Sequence, residues 1–405
     1  MSPKLSEMDL MAPPVVETWQ RRAMIIGILG VIGAIIGWVI EPDYFYRAYL
    51  LGYMWLLEVT LGSMAMVMLY HLTGGAWGTV LRRILEAAMS NIWLMMVLFI
   101  PVVIGVHHLY PWSRQDVLNS DADIRRIAAA YLSLRFWIFR AVLYFIGFGA
   151  LIATLNKVSR RQDRPPEVNM DIRLRRISGP GEVFWLFATF FMYVDWIMSI
   201  TPHYISMVLP LIFNAGQGLT TICFAVIIAA MLVQRAPMKG IIKPDQFLDH
   251  GKIVLTFTMV WAWWTYGQWI IFWSGNKPDE IGWFLTRTHG GWNYWGFVII
   301  LGHFFIPFLL LLSRSFKSNF RTLRWLALWL LFARYMDILY YIMPNYPDWR
   351  EKFHYSWLFA VVPIAFWGVW LTAFFWHLKR RPLLAVEDAH AKILVEEGHE
   401  YEQAV

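Results

Sequence analysis

The sequence predicts an all-α integral membrane protein, and three observations carry that expectation. Of its 405 residues, 58% are hydrophobic. Only 16% are charged, against about 25% in an ordinary soluble domain. The apolar residues also fall in runs that match a bilayer, which takes roughly 20 residues at about 1.5 Å each. Mean hydropathy is +0.47. An aromatic content of 17% excludes disorder. The single cysteine, Cys223, excludes a disulfide framework, a cysteine-ligated iron–sulfur cluster, structural zinc and C-x-x-C-H haem attachment within this chain.

About ten apolar runs follow in order, near 23–40, 48–70, 89–109, 130–154, 182–200, 206–233, 252–273, 292–313, 324–343 and 356–378. The first follows Arg21 and Arg22, as a leader peptide would. Its run from Ala23 to Ile40 is longer than a usual leader core, and no clear A-x-A site follows, so it reads as a helix. Residues 1–22 and 382–405 are then short polar appendages, with a first helix in 23–47 and a last in 346–381.

Orientation follows from lysine and arginine. With the N-terminus inside, the inner loops hold Arg82 and Arg83, then Lys157, Arg160, Arg161, Arg164, Arg173, Arg175 and Arg176. They continue with Arg235, Lys239 and Lys243, then Arg314, Lys317, Arg321 and Arg324, and finally Lys379, Arg380 and Arg381. The outer loops hold fewer: Arg47, Arg114, Arg125, Arg126, Lys277, Arg287, Arg350 and Lys352. Both termini are therefore expected in the cytoplasm. The net charge of +7 is a topology signal and a contact for anionic lipid heads, not a nucleic-acid footprint. Trp112 and Trp349 fall near predicted interfaces. Trp261, Trp263, Trp264, Trp269 and Trp273 run along one helix, either as belt and packing residues or as the lining of a quinone or lipid groove.

Ionisable residues inside spans cost several kcal/mol unless paired or hydrated, so each is a functional candidate. Glu58 lies roughly 12 Å below the outer side of the second span. Arg140 in the fourth span and Asp195 in the fifth reach similar depth, with His203 just beyond. Glu58, Arg140 and Asp195 are expected to form one cluster, either a proton path or an ion-pair network that fixes helix packing. In the second half, Asn214 and Gln217 share a face of the sixth span, and Asp249, His250 and Lys252 open the seventh. His303 is near mid-depth in the eighth, and Arg334 and Asp337 share a face of the ninth. Lys252, His303, Arg334 and Asp337 form a second candidate chain, with waters between. A packing histidine is the plainer reading of His303.

Depth argues against bis-histidine haem, since His303 is the one histidine clearly near mid-membrane; His71, His107, His108, His203 and His377 sit near span ends. No metal-binding set is evident. No G-x-x-x-x-G-K-[ST] loop is present, which argues against an ATP-driven pump. A secondary transporter is expected to show a pair of broken helices, and none is evident.

Specific strings then matter. LYHLTGGAWGTVLRRILEAA (69–88) is followed by IPVV (100–103), LYPW (109–112), ISGPGEV (177–183) and DWIMSITPHY (195–204). NAGQG (214–218), THGGW (288–292) and GHFFIPFLLLLSR (302–314) complete the set. With the span count, they resemble the NrfD-like (polysulfide-reductase membrane subunit) family. Within it the chain is most similar to the ActF-type subunit of alternative complex III, a quinol:electron-carrier oxidoreductase, and the similarity covers the second to the tenth span. The resemblance implies two four-helix bundles, spans 2–5 (48–205) and 6–9 (206–345), with peripheral first and last helices. It implies a place in the bacterial cytoplasmic membrane. It implies as partners a second NrfD-like subunit, an iron–sulfur subunit, multihaem cytochrome c subunits and small membrane subunits, besides structural lipids. Haem c, iron–sulfur clusters and menaquinol or another quinol would then be held by those partners, and none by this chain.

Three functional expectations follow. The first is a subunit that scaffolds the electron-transfer partners and conducts protons through Glu58, Arg140 and Asp195 and through Asp249, Lys252, His303, Arg334 and Asp337. The second is a quinone pocket of its own, with Asp195 or His203 accepting the quinol proton. The third is a purely structural anchor. The Gly74-Gly75 pair permits a tight turn after the second span, and Arg82 and Arg83 are placed in the first cytoplasmic loop, as lipid or partner contacts or as topology charge.

Overall fold

The computed structural model describes residues 10–163, 170–350, 354, 356–385 and 391–394. Arg164 and Lys352, counted above among the loop cations, lie outside them, as do residues 1–9 and most of the C-terminal tail. All regular structure among the described residues is helical. Nine helical segments there are long and apolar enough to cross a membrane.

The chain opens with α1 (Val15–Ile40) and α2 (Pro42–Thr73). Four short helices follow: α3 (Ala76–Met89), α4 (Ile92–Leu98), α5 (Ile100–Ile104) and α6 (Val106–Leu109). Next come α7 (Gln115–Ser120), α8 (Ala122–Ala130), α9 (Leu134–Ser159) and α10 (Met170–Trp196). The second half holds α11 (Leu209–Leu232), α12 (Pro244–Gly275), α13 (Pro278–Leu285), α14 (Trp292–Ile299) and α15 (Ile306–Leu312). It closes with α16 (Arg314–Ser318), α17 (Phe320–Ile342), α18 (Pro347–Arg350) and α19 (Leu358–Leu378).

α2 and α11 are the buried centre. Both are apolar all round, and the apolar windows of both are almost wholly buried. α2 packs against α1, α3, α10, α11, α17 and α19, and α11 against α10, α12 and α17. α1 instead buries a narrow stripe of small residues, Ala23, Gly27, Gly30, Ala34 and Gly37. That spacing puts backbone against backbone on α19: a Cβ added at Gly30 would stand 2.6 Å from Ala365 Cα. Apart from Val16 at its start, most of the rest of α1 is exposed, as suits a helix with lipid on its other faces.

α2 ends at Gly74 and Gly75, whose φ angles of 70° and 100° are the left-handed turn expected of that pair. The chain then re-enters a helix at once. α3 is buried along nearly its whole length, so Arg82 and Arg83 are interior helical residues and not loop contacts. The third span accordingly starts at Ala76 rather than near 89, and runs to Ile104 with breaks around Ser90 and Phe99. The eighth span is also interrupted, by a π-helical turn over Ile300–Phe305 that contains His303. These are interrupted helices that the sequence reading did not find.

The seventh predicted span, 252–273, lies within α12, which is 32 residues long. It is absent from the nine apolar segments because tryptophan, tyrosine, threonine and glutamine dilute its aliphatic residues. Trp263, Trp269 and Trp273 point outward at 68%, 46% and 66% exposure, as belt residues do, whereas Trp261 is buried. At the end of α17, Arg287 donates to the carbonyls of Tyr340 and Tyr341 at 3.2 and 3.0 Å. It thereby satisfies the open C-terminus of that helix with a cation. Burial lowers the Arg287 pKa to about 10.

Candidate functional site

Among the described residues, two of the buried charge centres in the helix packing are built from residues that the sequence singles out. The first joins α9 to α10. Arg140 Nε and Nη2 donate to Asp195 Oδ2 and Oδ1 at 2.8 and 2.6 Å, a two-pronged fit of planar guanidinium to planar carboxylate. Tyr144 donates to Asp195 Oδ2 at 2.9 Å, and Arg140 Nη1 to the Tyr131 carbonyl at 3.0 Å. The Tyr131 ring lies 3.9 Å from the guanidinium carbon. Asp195 is fully buried. Trp137 and Ser199 donate to its backbone carbonyl, so the whole residue is held.

The second centre joins α2 to α17. Arg334 Nη2 and Nε donate to Glu58 Oε1 and Oε2 at 2.6 and 3.1 Å. Its Nη1 donates to Asp337 Oδ2, one turn further along α17. Trp261 Nε1 donates to the same Asp337 oxygen at 2.9 Å, and Thr220 to Glu58 Oε2 at 3.0 Å. The Phe213 ring lies 4.9 Å from the guanidinium carbon. Gly216 makes the space, since a Cβ there would stand 2.2 Å from Arg334 Cζ. Glu58, Arg334 and Asp337 are each at most 2% exposed.

Glu58 therefore does not join Arg140 and Asp195, contrary to the expectation from depth. The reason is azimuth. On α2, Tyr53 faces Trp196 of α10, with ring centroids 6.2 Å apart. Glu58 lies five residues on, about 140° around the helix, and faces α11 and α17. Lys252 does not join the second centre either. It pairs with Asp249 at 2.7 Å, and both side chains are well exposed. His203 pairs with Asp121 at 2.8 Å in an exposed loop, apart from Asp195.

His303 does reach the second centre. Its ring packs on Trp261, with centroids 4.1 Å apart, and Nδ1 lies 4.0 Å from Asp337 Oδ2. Neither ring nitrogen has a hydrogen-bond partner among the described residues. Gln217 donates to the Tyr193 hydroxyl at 3.0 Å but leaves Oε1 unpartnered, and Asn214 leaves both amide atoms unpartnered. Buried polar atoms of this kind are normally met by internal water. The second centre is thus three ionisable groups and a histidine, with unsatisfied amides on the neighbouring α11.

Sequence reasoning missed two acids. Glu86 of α3 is fully buried; it accepts from Arg82 at 2.9 Å, Arg83 at 2.7 Å and Ser159 at 2.6 Å. Arg381 approaches it at 3.5 Å from beyond α19. Arg82 also reaches Gln162 at 2.5 Å, and Arg83 reaches Asp163. The Arg-Arg-x-x-Glu spacing was the available signal, since residues three and four apart share a helix face. Glu182 of α10 was hidden within the ISGPGEV string, and its Oε2 is buried without a hydrogen-bond partner among the described residues. Ser178 and Trp185, four before and three after it, also present unpartnered buried polar atoms.

Fold and centres together define a class: a multi-span, all-α membrane protein with ion pairs sealed inside its helix packing. No family model matches the chain, and no curated protein matches it.

Proposed function

We propose that this chain is an integral membrane subunit of a quinol-oxidising electron-transfer complex of the NrfD-like, ActF type. In this reading it sits in the bacterial cytoplasmic membrane with both termini inside, as two four-helix bundles flanked by α1 and α19. It scaffolds an iron–sulfur subunit, multihaem cytochrome c subunits and a second membrane subunit of its own family. The motif strings and the basic inner loops support that assignment.

It also passes protons through its charge centres. The observation that carries this part is the Glu58–Arg334–Asp337 triad. Two carboxylates share one guanidinium, so the triad carries one net negative charge when both are ionised and none when one is protonated. Arginine does not give up its proton, so it holds the two acids and tunes them while they do the exchange. His303 beside Asp337, and the amides of Asn214 and Gln217, offer positions for the connecting waters.

In an assembled complex, Asp337→Asn is expected to lower the protons released per quinol, and Asp195→Asn to do so more weakly. Unchanged stoichiometry and turnover in both variants would end the proton-path reading and leave the structural anchor. A quinone site on Asp195 and His203 is less well supported. Asp195 already accepts from Arg140 and Tyr144, and Phe99, Trp137 and Trp196 fill the space beside it.

A further inference from the structure

A trough crosses the surface of the molecule between α17 and α19, and its floor reaches the central helix. Towards the basic end it is a groove of about 420 Å³, lined by Trp19, Arg22 and Ile26 of α1, Phe224 of α11, Leu328 of α17 and Phe375 of α19, among others. Towards the other end it continues as a groove of about 370 Å³ beside Tyr335 and Phe359. Trp55 and Phe332 line both grooves, so the two are continuous. Trp55 is half-buried, whereas its neighbours on α2 are buried. The lining is almost wholly apolar.

The charge is confined to one mouth. Arg22 lies three residues on from Trp19, on the same face of α1. The guanidinium of Arg235 lies 5.4 Å from the Trp19 ring centroid. Neither arginine makes an ion pair among the described residues. Glu17, the nearest acid on α1, is engaged by Lys379 at 3.6 Å. Two unpaired guanidinium groups about an indole, at the end of a long apolar trough, suit a phosphate with a hydrocarbon chain attached. Indole also favours the headgroup level of a bilayer.

We infer that this trough binds an anionic phospholipid, its phosphate held by Arg22 and Arg235 and one acyl chain laid along α17 towards Trp55. The competing occupant is an isoprenoid quinone, whose carbonyl oxygens would meet the unpartnered indole N–H groups of Trp55 and Trp367 midway along the trough.

The test uses the full chain, with whatever subunits accompany it, delipidated in mild detergent. It is titrated with phosphatidylglycerol and, separately, with phosphatidylcholine of the same acyl chains, and bound lipid is read by native mass spectrometry. The expected result is one tightly retained phosphatidylglycerol, with at least a tenfold preference over phosphatidylcholine. Arg22→Gln with Arg235→Gln should remove the preference. Leu328→Trp, which fills the trough with both arginines in place, should remove retention. Should Leu328→Trp fail to fold, Ile26→Trp fills the same groove from α1. Equal retention of both lipids before and after the arginine changes overturns the inference. So does stoichiometric quinone that is present in the organic extract of the untreated protein and lost from that of Leu328→Trp, or a polypeptide cross-linked from position 328.

Discussion

Arg334 has the most at stake of any residue in the chain. Its guanidinium is fully buried and is matched by two carboxylates that are buried with it. A sealed cluster of this kind adds little net stability over an apolar packing, but removing one partner strands the others in a medium that solvates them poorly. Arg334→Gln is expected to cost about 3–5 kcal/mol and to lower the thermal midpoint of the solubilised protein. Glu182 is the opposite case, a carboxyl with no ion pair among the described residues and with a buried, unpartnered Oε2. Glu182→Gln should leave the thermal midpoint unchanged or raise it slightly, and a fall as large as that of Arg334→Gln would show a partner for Glu182.

Asp121 sets a pH response outside the membrane. The Ile124 backbone N–H and the His203 side chain hold its pKa below the usual carboxylate range. A depressed folded-state value means that the stabilisation is present above about pH 4 and is lost as pH falls through the depressed value. Hydrogen exchange over residues 121–130 should therefore accelerate below pH ~4, and Asp121→Ala, which removes the capping oxygen, should give fast exchange at every pH. Protection unchanged by that substitution would count against the Asp121 cap.

At the scale of the element, the apolar runs were legible because bilayer thickness imposes a length on them. Nine apolar segments appear among the described residues, against about ten expected, and the discrepancy is the tryptophan-rich α12. Where a span starts was less legible. α3 reads as a loop because Arg82 and Arg83 interrupt its apolar pattern, yet Glu86 on the same helix, with Ser159, Gln162 and Asp163, pairs with both arginines inside the fold. The α1 stripe makes its own prediction. Gly30→Val would drive side-chain atoms into the Ala365 backbone, with an overpacking cost of about 1–3 kcal/mol. Cross-linking by a short bifunctional thiol reagent between cysteines placed at positions 20 and 372, where Gln20 donates to the Thr372 carbonyl at 3.3 Å, should then fall relative to the pair without Gly30→Val, while the Glu58–Arg334 centre stays intact.

For the whole molecule, the Glu58–Arg334 pair links residues 276 apart in sequence. It ties a helix of the first half to one of the second at a point buried from both sides. A double-mutant cycle on Glu58→Gln and Arg334→Gln should return a coupling of about 0.5–3 kcal/mol, since the groups are in direct contact. The same cycle on Glu58 and Arg140 should return close to zero. A reversed order would restore the single cluster of Glu58, Arg140 and Asp195.

Read alone, the residues determined that this is a helical membrane protein, that Glu58, Arg140, Asp195, Arg334 and Asp337 lie within its spans, and that Arg334 and Asp337 share a turn. Those properties follow from composition, from a rise of about 1.5 Å per residue and from three- and four-residue spacing. Which helix each charge faces was decided only by the tertiary structure. Depth along a helix is linear in sequence, but facing depends on how α2 is rotated among its neighbours. Packing of Tyr53 on Trp196, and the room left by Gly216 for Arg334, set that rotation, and only the folded chain brings those residues together.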